Sequence, residues 1–277
     1  MRKLSLSLES ATSCPGCRGQ RLREAFAPDL WLCQACGLYF RNPRPTESAV
    51  VNYYDTGATY DRWQQETDVR RYLWDKRLRM LLKYKTTGAL LDVGTGDGFF
   101  LPFASQYFET FATEVSKRGG EHIQARGFHH WQGALDDVDF GARRFDVVTL
   151  WHVLEHLHDP SSALNQLGRL LASGGILAVA APNETVPIWG QRLRRRRRSP
   201  FGPFRPGDEI HLVHFLPRVF RRMLRRHGFD IIEFGVDDVH VSRGWKEVLS
   251  YQSNVVLNAI CHWHFDTAMY AICRKKS

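Results

Sequence analysis

The chain has 277 residues, of which 43% are hydrophobic and 24% are charged, values typical of a folded globular protein. No apolar run approaches the ~18 residues of a membrane-spanning helix, and residues 1–6 lack the apolar core of a signal peptide, so we expect a cytoplasmic protein without a membrane span. The net charge of +9 includes an arginine-rich run at 192–198, which either attracts phosphate groups or is a solvated loop.

Two Cys-x-x-Cys pairs have the spacing of a zinc ribbon. Cys14 and Cys17 are separated by fifteen residues from Cys33 and Cys36. Each pair presents two sulfurs from one tight turn, and a hairpin between the pairs would complete a tetrahedral site. A redox-active pair is the alternative, but two pairs at this spacing favour structural Zn²⁺. We therefore predict a small zinc ribbon over residues 1–45, called the ribbon below.

The rest of the chain alternates between helical and strand patterns. Residues 46–85 are predicted to form a helical, aromatic-rich bridging region, and residues 182–215 an irregular insertion that acts as a lid. The predicted strands are Ala89–Val93, Thr110–Val115, Phe128–Trp131, Phe145–Leu150, Ile176–Ala181, Phe229–Phe234 and Ala268–Arg274. Four helices are predicted. One starts at about Gly98, one follows the second strand and ends at Arg126, and two span Ser161–Leu171 and Pro217–His227. This alternation predicts an α/β fold with a doubly wound, mostly parallel sheet.

The segment 90–98 predicts a ligand site between the first strand of this sheet and the following helix. Three glycines alternate after an acidic residue: Asp92, Gly94, Gly96 and Gly98. Glycine permits positive φ and lets a ligand lie against the backbone. Glu114 ends the second strand about 20 residues later, where α/β sites bind ribose hydroxyls. Phe99 replaces the last glycine of the dinucleotide fingerprint, which argues against NAD.

With these elements the chain resembles the class I S-adenosylmethionine-dependent methyltransferases. The matching pieces are the glycine segment, Glu114, the apolar strand Phe145–Leu150 and the glycine turn in Leu170–Leu177. A closer resemblance is to a bacterial subgroup that has an N-terminal zinc ribbon and a core similar to ubiquinone-type O-methyltransferases. It is carried by residues 36–45, 150–160 and 211–215. The resemblance implies a seven-stranded, Rossmann-like methyltransferase domain over 86–277, with S-adenosylmethionine as cofactor.

The resemblance also implies roles for individual residues. The cofactor would be bound by Asp92, Gly94 and Gly96 at its methionine and ribose end, Glu114 at the ribose hydroxyls, Ala134 and Leu135 at the adenine, and Leu150 and Trp151 beside the sulfonium. An aromatic ring beside a sulfonium cation is favourable, although ordinary packing would also explain Trp151.

Histidines are the candidate general bases. His152, Glu155 and His156 lie at i, i+3 and i+4, which predicts one face of a helical turn. Removing a proton from a hydroxyl acceptor suits histidine near neutral pH, so His156, His152 and His211 are the candidates. Three alternatives stay open. In the first alternative the histidines have a structural role only. In the second they bind a divalent ion, as in some related O-methyltransferases. In the third the H-x-x-E-H pattern marks a zinc peptidase.

These features predict a methyltransferase that acts on a small-molecule or carbohydrate-type acceptor, at oxygen. Arg194–Arg198 on the predicted lid would hold a phosphate- or nucleotide-linked part of that acceptor. The alternative is an RNA methyltransferase that binds nucleic acid through the ribbon and the arginine run. A non-catalytic partner protein that keeps the fold is a third reading. The ribbon itself is expected to brace residues 47–85.

Overall fold

Thirteen strands and seven helices lie in the parts of the chain described by the computed structural model, residues 6–27, 29–56, 67–194, 204, 209–237 and 268–276. The strands are β1 (Leu8–Glu9), β2 (Leu22–Glu24), β3 (Leu30–Cys33), β4 (Tyr39–Arg41), β5 (Arg44–Pro45), β6 (Ala89–Val93), β7 (Glu109–Glu114), β8 (His129–Gln132), β9 (Phe145–Trp151), β10 (Leu171–Pro182), β11 (Val213–His214), β12 (Phe229–Val236) and β13 (Ala268–Lys275). The helices are α1 (Glu47–Asp55), α2 (Thr67–Leu82), α3 (Leu101–Ala104), α4 (Lys117–Ala125), α5 (Pro160–Leu170), α6 (Thr185–Arg194) and α7 (Pro217–Arg226). No helix among them is long and apolar enough to cross a membrane.

The central sheet has seven strands in the order β8-β7-β6-β9-β10-β13-β12. Five strands, from β8 to β10, are paired in parallel, whereas β13 is antiparallel to both of its neighbours. This arrangement confirms the predicted α/β fold with a doubly wound, mostly parallel sheet. The carboxyl ends of the parallel strands meet at one edge, where ligands of such folds bind.

Both faces of the sheet are buried. Successive residues of a strand point to opposite faces, so Leu91 and Val148 lie in one apolar cluster and Leu90 and Val147 in another. The first cluster includes side chains of α5 and α7, and the second includes Leu78 and Leu81 of α2. Helices on both sides therefore shield the strands that carry the predicted ligand loop.

The predicted insertion 182–215 is more regular than expected. It contains α6, whose start is fixed by the Asn183 Oδ1 accepting from the Thr185 N–H at 3.1 Å, and by Pro187, which the first turn of a helix tolerates. It also contains β11, which pairs with β4 and extends the sheet of the ribbon to the order β11-β4-β3-β2. Two residues suffice for this strand because β4 offers an unpaired edge.

The described residues of the bridging region form two helices, α1 and α2. Residues 57–66 between them, and residues 195–198 of the arginine run, lie outside the described residues, so the role given to Arg194–Arg198 stays a prediction. Of the two aromatic residues of α2, Trp74 packs against the central domain, whereas Tyr72 is exposed. The ring of Trp74 lies 5.6 Å from that of Phe100, and the Arg77 guanidinium lies 4.6 Å from the Trp151 ring centroid.

A buried ion pair fastens α2 to the end of β12. Arg77 is 2% exposed and Asp237 is fully buried, and the guanidinium contacts both carboxylate oxygens. Burial alone would oppose the Asp237 charge, but Arg77 and the hydrogen bond from His152 hold the pKa of this carboxyl well below its usual range. The pair therefore behaves as a charged contact between segments 160 positions apart in sequence.

Replacing Arg77 by leucine is expected to lower the free energy of unfolding by about 3–5 kcal/mol, because Asp237 would lose its main buried counter-charge. The control is Arg79→Ala on the same helix, which removes an exposed pair with Asp75 and is expected to cost below about 0.5 kcal/mol. Urea unfolding of both variants measures the difference. Equal losses would contradict the importance of the buried pair.

Candidate active site

The glycine loop after β6 has the backbone conformation that its sequence predicts. Gly94, Gly96 and Gly98 have φ values of +63°, +65° and +72°, a region that L-residues with side chains rarely adopt. A Cβ atom built on Gly94 would lie 2.9 Å from the Val153 Cγ2 atom. The loop therefore passes close to the turn that follows β9 and leaves its backbone open to a ligand.

The Glu114 carboxylate closes one side of this loop. Its Oε2 atom accepts from the Gly96 N–H at 2.7 Å, and its Oε1 atom accepts from the Ser116 N–H at 2.9 Å. A Cβ atom on Gly119, in the first turn of α4, would lie only 2.7 Å from the Glu114 Cγ atom and from the Gly96 oxygen. Each carboxylate oxygen can accept a further hydrogen bond, so ribose hydroxyls have acceptors here.

Asp92 supports the loop from below. It is 2% exposed, and its carboxylate accepts from the Thr149 hydroxyl at 2.5 Å and the Thr95 hydroxyl at 2.6 Å. Burial raises the pKa of Asp92 to about 6, against the two hydroxyl hydrogen bonds that favour its charge. The side chain thereby ties β6 to β9 directly beneath the glycine turn.

The other residues expected to bind cofactor border the same edge of the sheet. Ala134 precedes a 3-10 turn, Leu135–Asp137, and Leu135 is buried. Leu150 is fully buried inside the sheet, so its side chain serves the core. Trp151 is 8% exposed and packs edge-on to Phe100, with ring centroids 5.9 Å apart. Its indole N–H has no acceptor among the described residues.

The turn after β9 differs from the predicted helical face. His152 has a φ of +60°, and only residues 154–156 form a 3-10 turn, so His152 does not share one helix with Glu155 and His156. The side chains still converge on one carboxylate. The His152 Nδ1 atom lies 3.5 Å, and the His156 Nε2 atom 4.0 Å, from the Glu155 Oε1 atom. A left-handed residue at 152 turns the chain enough to bring both rings to Glu155.

His211 reaches the same cluster from the insertion, with its ring centroid 5.0 Å from that of His156. Its Nε2 atom lies 3.3 Å from the Glu209 Oε2 atom, and its Nδ1 atom 3.9 Å from the Glu184 Oε1 atom. Although burial opposes the charged ring, these carboxylates raise the pKa of His211 to about 10. In turn His211 helps to lower the pKa of Glu184 and of Glu209 to about 2, despite their burial. His211 is therefore a cation at neutral pH.

His152 is also held as a cation. Its Nε2 atom lies 3.2 Å from the Asp237 Oδ2 atom, on the side opposite to Glu155. Burial disfavours the charged ring, but hydrogen bonds to Asp237 and Glu155 raise the pKa of His152 to about 9. A ring that already carries its proton at neutral pH is a poor general base.

His156 differs from both. Burial lowers the pKa of His156, and the charge of His211 lowers it further, against the attraction of Glu155. The Nδ1 atom lies 2.7 Å from the Ile210 carbonyl oxygen, which can only accept, so Nδ1 carries the proton of the neutral ring. The Nε2 atom then has a free lone pair, and the geometry makes His156 the ring suited to accept a proton.

Among the described residues, two groups of side chains could hold a metal ion. The four cysteine sulfurs all lie within 4.8 Å of one another, with Cys14 Sγ 3.5 Å from Cys36 Sγ and Cys17 Sγ 3.6 Å from Cys33 Sγ. Zn–S bonds of ~2.3 Å in a tetrahedron would place sulfurs ~3.8 Å apart, so this donor set fits Zn²⁺. The second group is Glu155, His156 and His211, whose ligand atoms also lie within 4.8 Å.

Sequence reasoning missed several residues of the histidine site. Glu209 lies two positions before His211, and this short acid–histidine spacing was a signal that could have been used. Glu184 and Asp237 have no local pattern, because their partners are distant along the chain. Tyr54 lies in the aromatic-rich bridging region with no local pattern that marks it as a site residue, yet its hydroxyl lies 3.2 Å from the His156 Nδ1 atom.

Substituting alanine for Gly94 is expected to destabilise the protein more than the same change at Gly174. Both glycines have positive φ, so each change costs about 1–2 kcal/mol of backbone strain. A Cβ at Gly174 meets nothing within 4 Å, whereas at Gly94 it meets Val153, which adds about 1 kcal/mol or more. Urea unfolding compares the two variants. Equal midpoints would show that the loop does not press on the turn after β9.

Comparison with known proteins identifies the family. The model of the family described as "Methyltransferase domain" matches residues 63–233, which is more than half of the chain. A ubiquinone biosynthesis O-methyltransferase of Caulobacter sp. (strain K31) is 34% identical over 105 residues, covering 35% of this chain. The matched part spans only 42% of that relative's length.

Solved structures show the same fold at low sequence identity. The plantazolicin methyltransferase BpumL, solved in complex with SAH, has a TM-score of 0.57 and 15% identity, covering 82% of this chain and 95% of its own. An S-adenosylmethionine-dependent methyltransferase from Clostridium acetobutylicum has a TM-score of 0.55 and 11% identity, covering 82% of this chain and 100% of its own.

Proposed function

The chain belongs to the methyltransferase domain family, and on that premise we propose that it transfers a methyl group from S-adenosylmethionine to an oxygen atom of a small-molecule or carbohydrate-type acceptor, with His156 as general base. The observation that carries this proposal is the 2.7 Å contact of the His156 Nδ1 atom with the Ile210 carbonyl oxygen, which places the proton on Nδ1 and leaves Nε2 to accept one. The O-methyltransferase relative supports oxygen as the acceptor atom.

The residues around the glycine loop fit the cofactor. Gly94 and Gly96 have positive φ, which lets the loop backbone lie against a ligand, and Glu114 offers carboxylate oxygens beside the loop. When bound, S-adenosylmethionine supplies a methyl group activated by a sulfonium charge. The loop and Glu114 would hold the nucleoside, with Ala134 and Leu135 at the adenine and Trp151 at the methyl end.

The protein's own contribution to the reaction is placement and proton removal. Val153 contacts Gly94, and the His156 N–H donates to the Val153 carbonyl at 2.9 Å, so the base lies one turn from the cofactor loop. His156 Nε2 would take the proton of the acceptor hydroxyl as the new bond forms. Glu155, 4.0 Å from that nitrogen and 1% exposed, would then stabilise the imidazolium.

The same cluster supports an alternative role as a divalent-metal site. Glu155, His156 and His211 present three ligand atoms close together, and a metal would compete with the proton for the His156 Nε2 atom. A metal-assisted reaction would be abolished by chelation, whereas general-base catalysis by His156 would not. Four clustered thiols support a separate, structural Zn²⁺ at Cys14, Cys17, Cys33 and Cys36.

Transfer of labelled methyl groups into fractionated bacterial extract tests the function. We expect label in the small-molecule or glycan fraction, unchanged by EDTA, and none with Glu114→Gln, because the amide weakens the acceptors of the loop and ribose hydroxyls. Glu109→Gln, at the exposed start of the same strand, is the matched control and should behave as the parent protein.

Label that follows RNA and disappears with ribonuclease would show instead that the alternative, an RNA methyltransferase, is correct. Loss of label with EDTA, while zinc analysis shows that the four cysteines keep their Zn²⁺, would favour the divalent-metal role. No label in any fraction, together with no S-adenosylmethionine binding by calorimetry, would favour the non-catalytic reading.

The pH dependence of methyl transfer is expected to reflect the protonation of His156. Because the pKa of His156 is lowered, kcat/KM should stay constant through neutral pH and fall only below the usual histidine value of about 6.5, as Nε2 becomes protonated. His156→Gln should lose this acid limb and reduce kcat by about 10²–10⁴-fold while cofactor affinity is retained. His122→Gln, on α4, is the control. An unchanged acid limb in His156→Gln would exclude His156 as the base.

A further inference from the structure

We propose that the metal-bound ribbon is a positioning element of the histidine site, holding together the two chain segments that carry His156 and His211. This inference rests on the proposed function of that site, and it gives the ribbon a role other than bracing residues 47–85. Three sets of contacts between the ribbon and the methyltransferase domain carry it.

The first contact passes through a single residue, Leu212, next to His211. The Arg41 N–H of β4 donates to the Leu212 carbonyl at 2.8 Å, and the Leu212 N–H donates to the Glu155 carbonyl at 2.8 Å. Leu212 is fully buried, and β11 begins directly after it. The ribbon edge, the His211 segment and the turn before His156 are therefore joined by consecutive backbone hydrogen bonds.

The second contact holds the chain just after His156. The Arg44 guanidinium donates to the His158 carbonyl at 2.8 Å, and the His158 Nε2 atom donates to the Pro45 carbonyl at 2.7 Å. Arg18, directly after Cys17, contacts the carboxylate of Asp159, the residue that caps α5. The ribbon therefore contacts both chain segments of the site, the one that carries His156 and the one that carries His211.

The third contact makes these interactions depend on the shape of the cysteine turns. Both turns lie on α7, where a Cβ on Gly16 would meet the Met223 Cε atom at 2.6 Å and one on Gly37 would meet the Val219 Cγ2 atom at 3.5 Å. Cys14 and Cys33 share one apolar cluster with residues of β11 and α7. A ribbon of this size has too small a core to keep its shape without a metal, because metal binding supplies its folding energy. Loss of metal should therefore release β4 from β11.

Hydrogen–deuterium exchange on the full chain tests this coupling. The zinc-loaded protein is compared with protein stripped by a reversible mercurial thiol reagent and a chelator, then freed of the reagent by dithiothreitol. We expect protection of residues 153–159 and 209–215 to fall by about tenfold or more in the stripped protein, with β6 and β7 unchanged. S-adenosylmethionine affinity should change by less than about threefold, and added Zn²⁺ should restore protection.

Two variants separate the metal from the ribbon surface. Cys36→Ser should reproduce the loss of protection, whereas Arg23→Ala, exposed on β2 and farthest from β11 in the ribbon sheet, should not. Unchanged protection at 209–215 without zinc would overturn the proposal. So would equal loss across β6 and β7, since the ribbon would then support the whole fold. Hydrogen–deuterium exchange needs no methyl acceptor, so its outcome does not depend on whether methyl transfer is found.

Discussion

A buried carboxylate must be paired with a cation or with donors, and this requirement shapes the carboxyl edge of the central sheet. Glu184 and Glu209 flank His211, whereas Asp237 lies between Arg77 and His152. These partners come from the bridging helix, the insertion and the end of β12, so satisfying the charges also joins segments that are far apart along the chain. The same pairing fixes two histidines as cations and leaves His156 neutral. The chemistry of the site is therefore a consequence of how its charges are buried.

The sheet and the conformation of the glycine loop were predictable because their signals are local. Apolar runs such as 145–150 read as buried strands, and the alternate glycines after Asp92 specify positive φ whatever surrounds them. Glu114 followed from its distance to that loop. The four cysteines were equally local, since the spacing of two pairs already brings their sulfurs together. In each case the residues that create the feature lie within a few tens of positions, and the backbone geometry follows from residue type.

The histidine site was predictable only in composition. The spacing of His152 and His156 suggested a helical face, but ion pairs with Asp237 and Glu155 hold residue 152 at a φ of +60°. The helix and strand propensities of histidine do not predict this left-handed conformation. The strand β11 was missed because two residues carry no periodicity, and it exists only because β4 has a free edge. The pairing of Arg77 with Asp237 spans 160 positions and leaves no trace in the local sequence. Tertiary contacts, not local preferences, decide these features.

The position of β13 has a consequence for how the protein is made. This strand is synthesised after every other strand described here, yet it lies inside the sheet, antiparallel to both β10 and β12. Until the ribosome has delivered residues 268–275, β10 displays seven unpaired positions along an apolar edge, and β12 has no neighbour to join. Open strand edges are templates for pairing with other chains. The nascent protein therefore passes through a stage in which its sheet is divided, and the β10 edge stays open to pairing with other chains until β13 is in place.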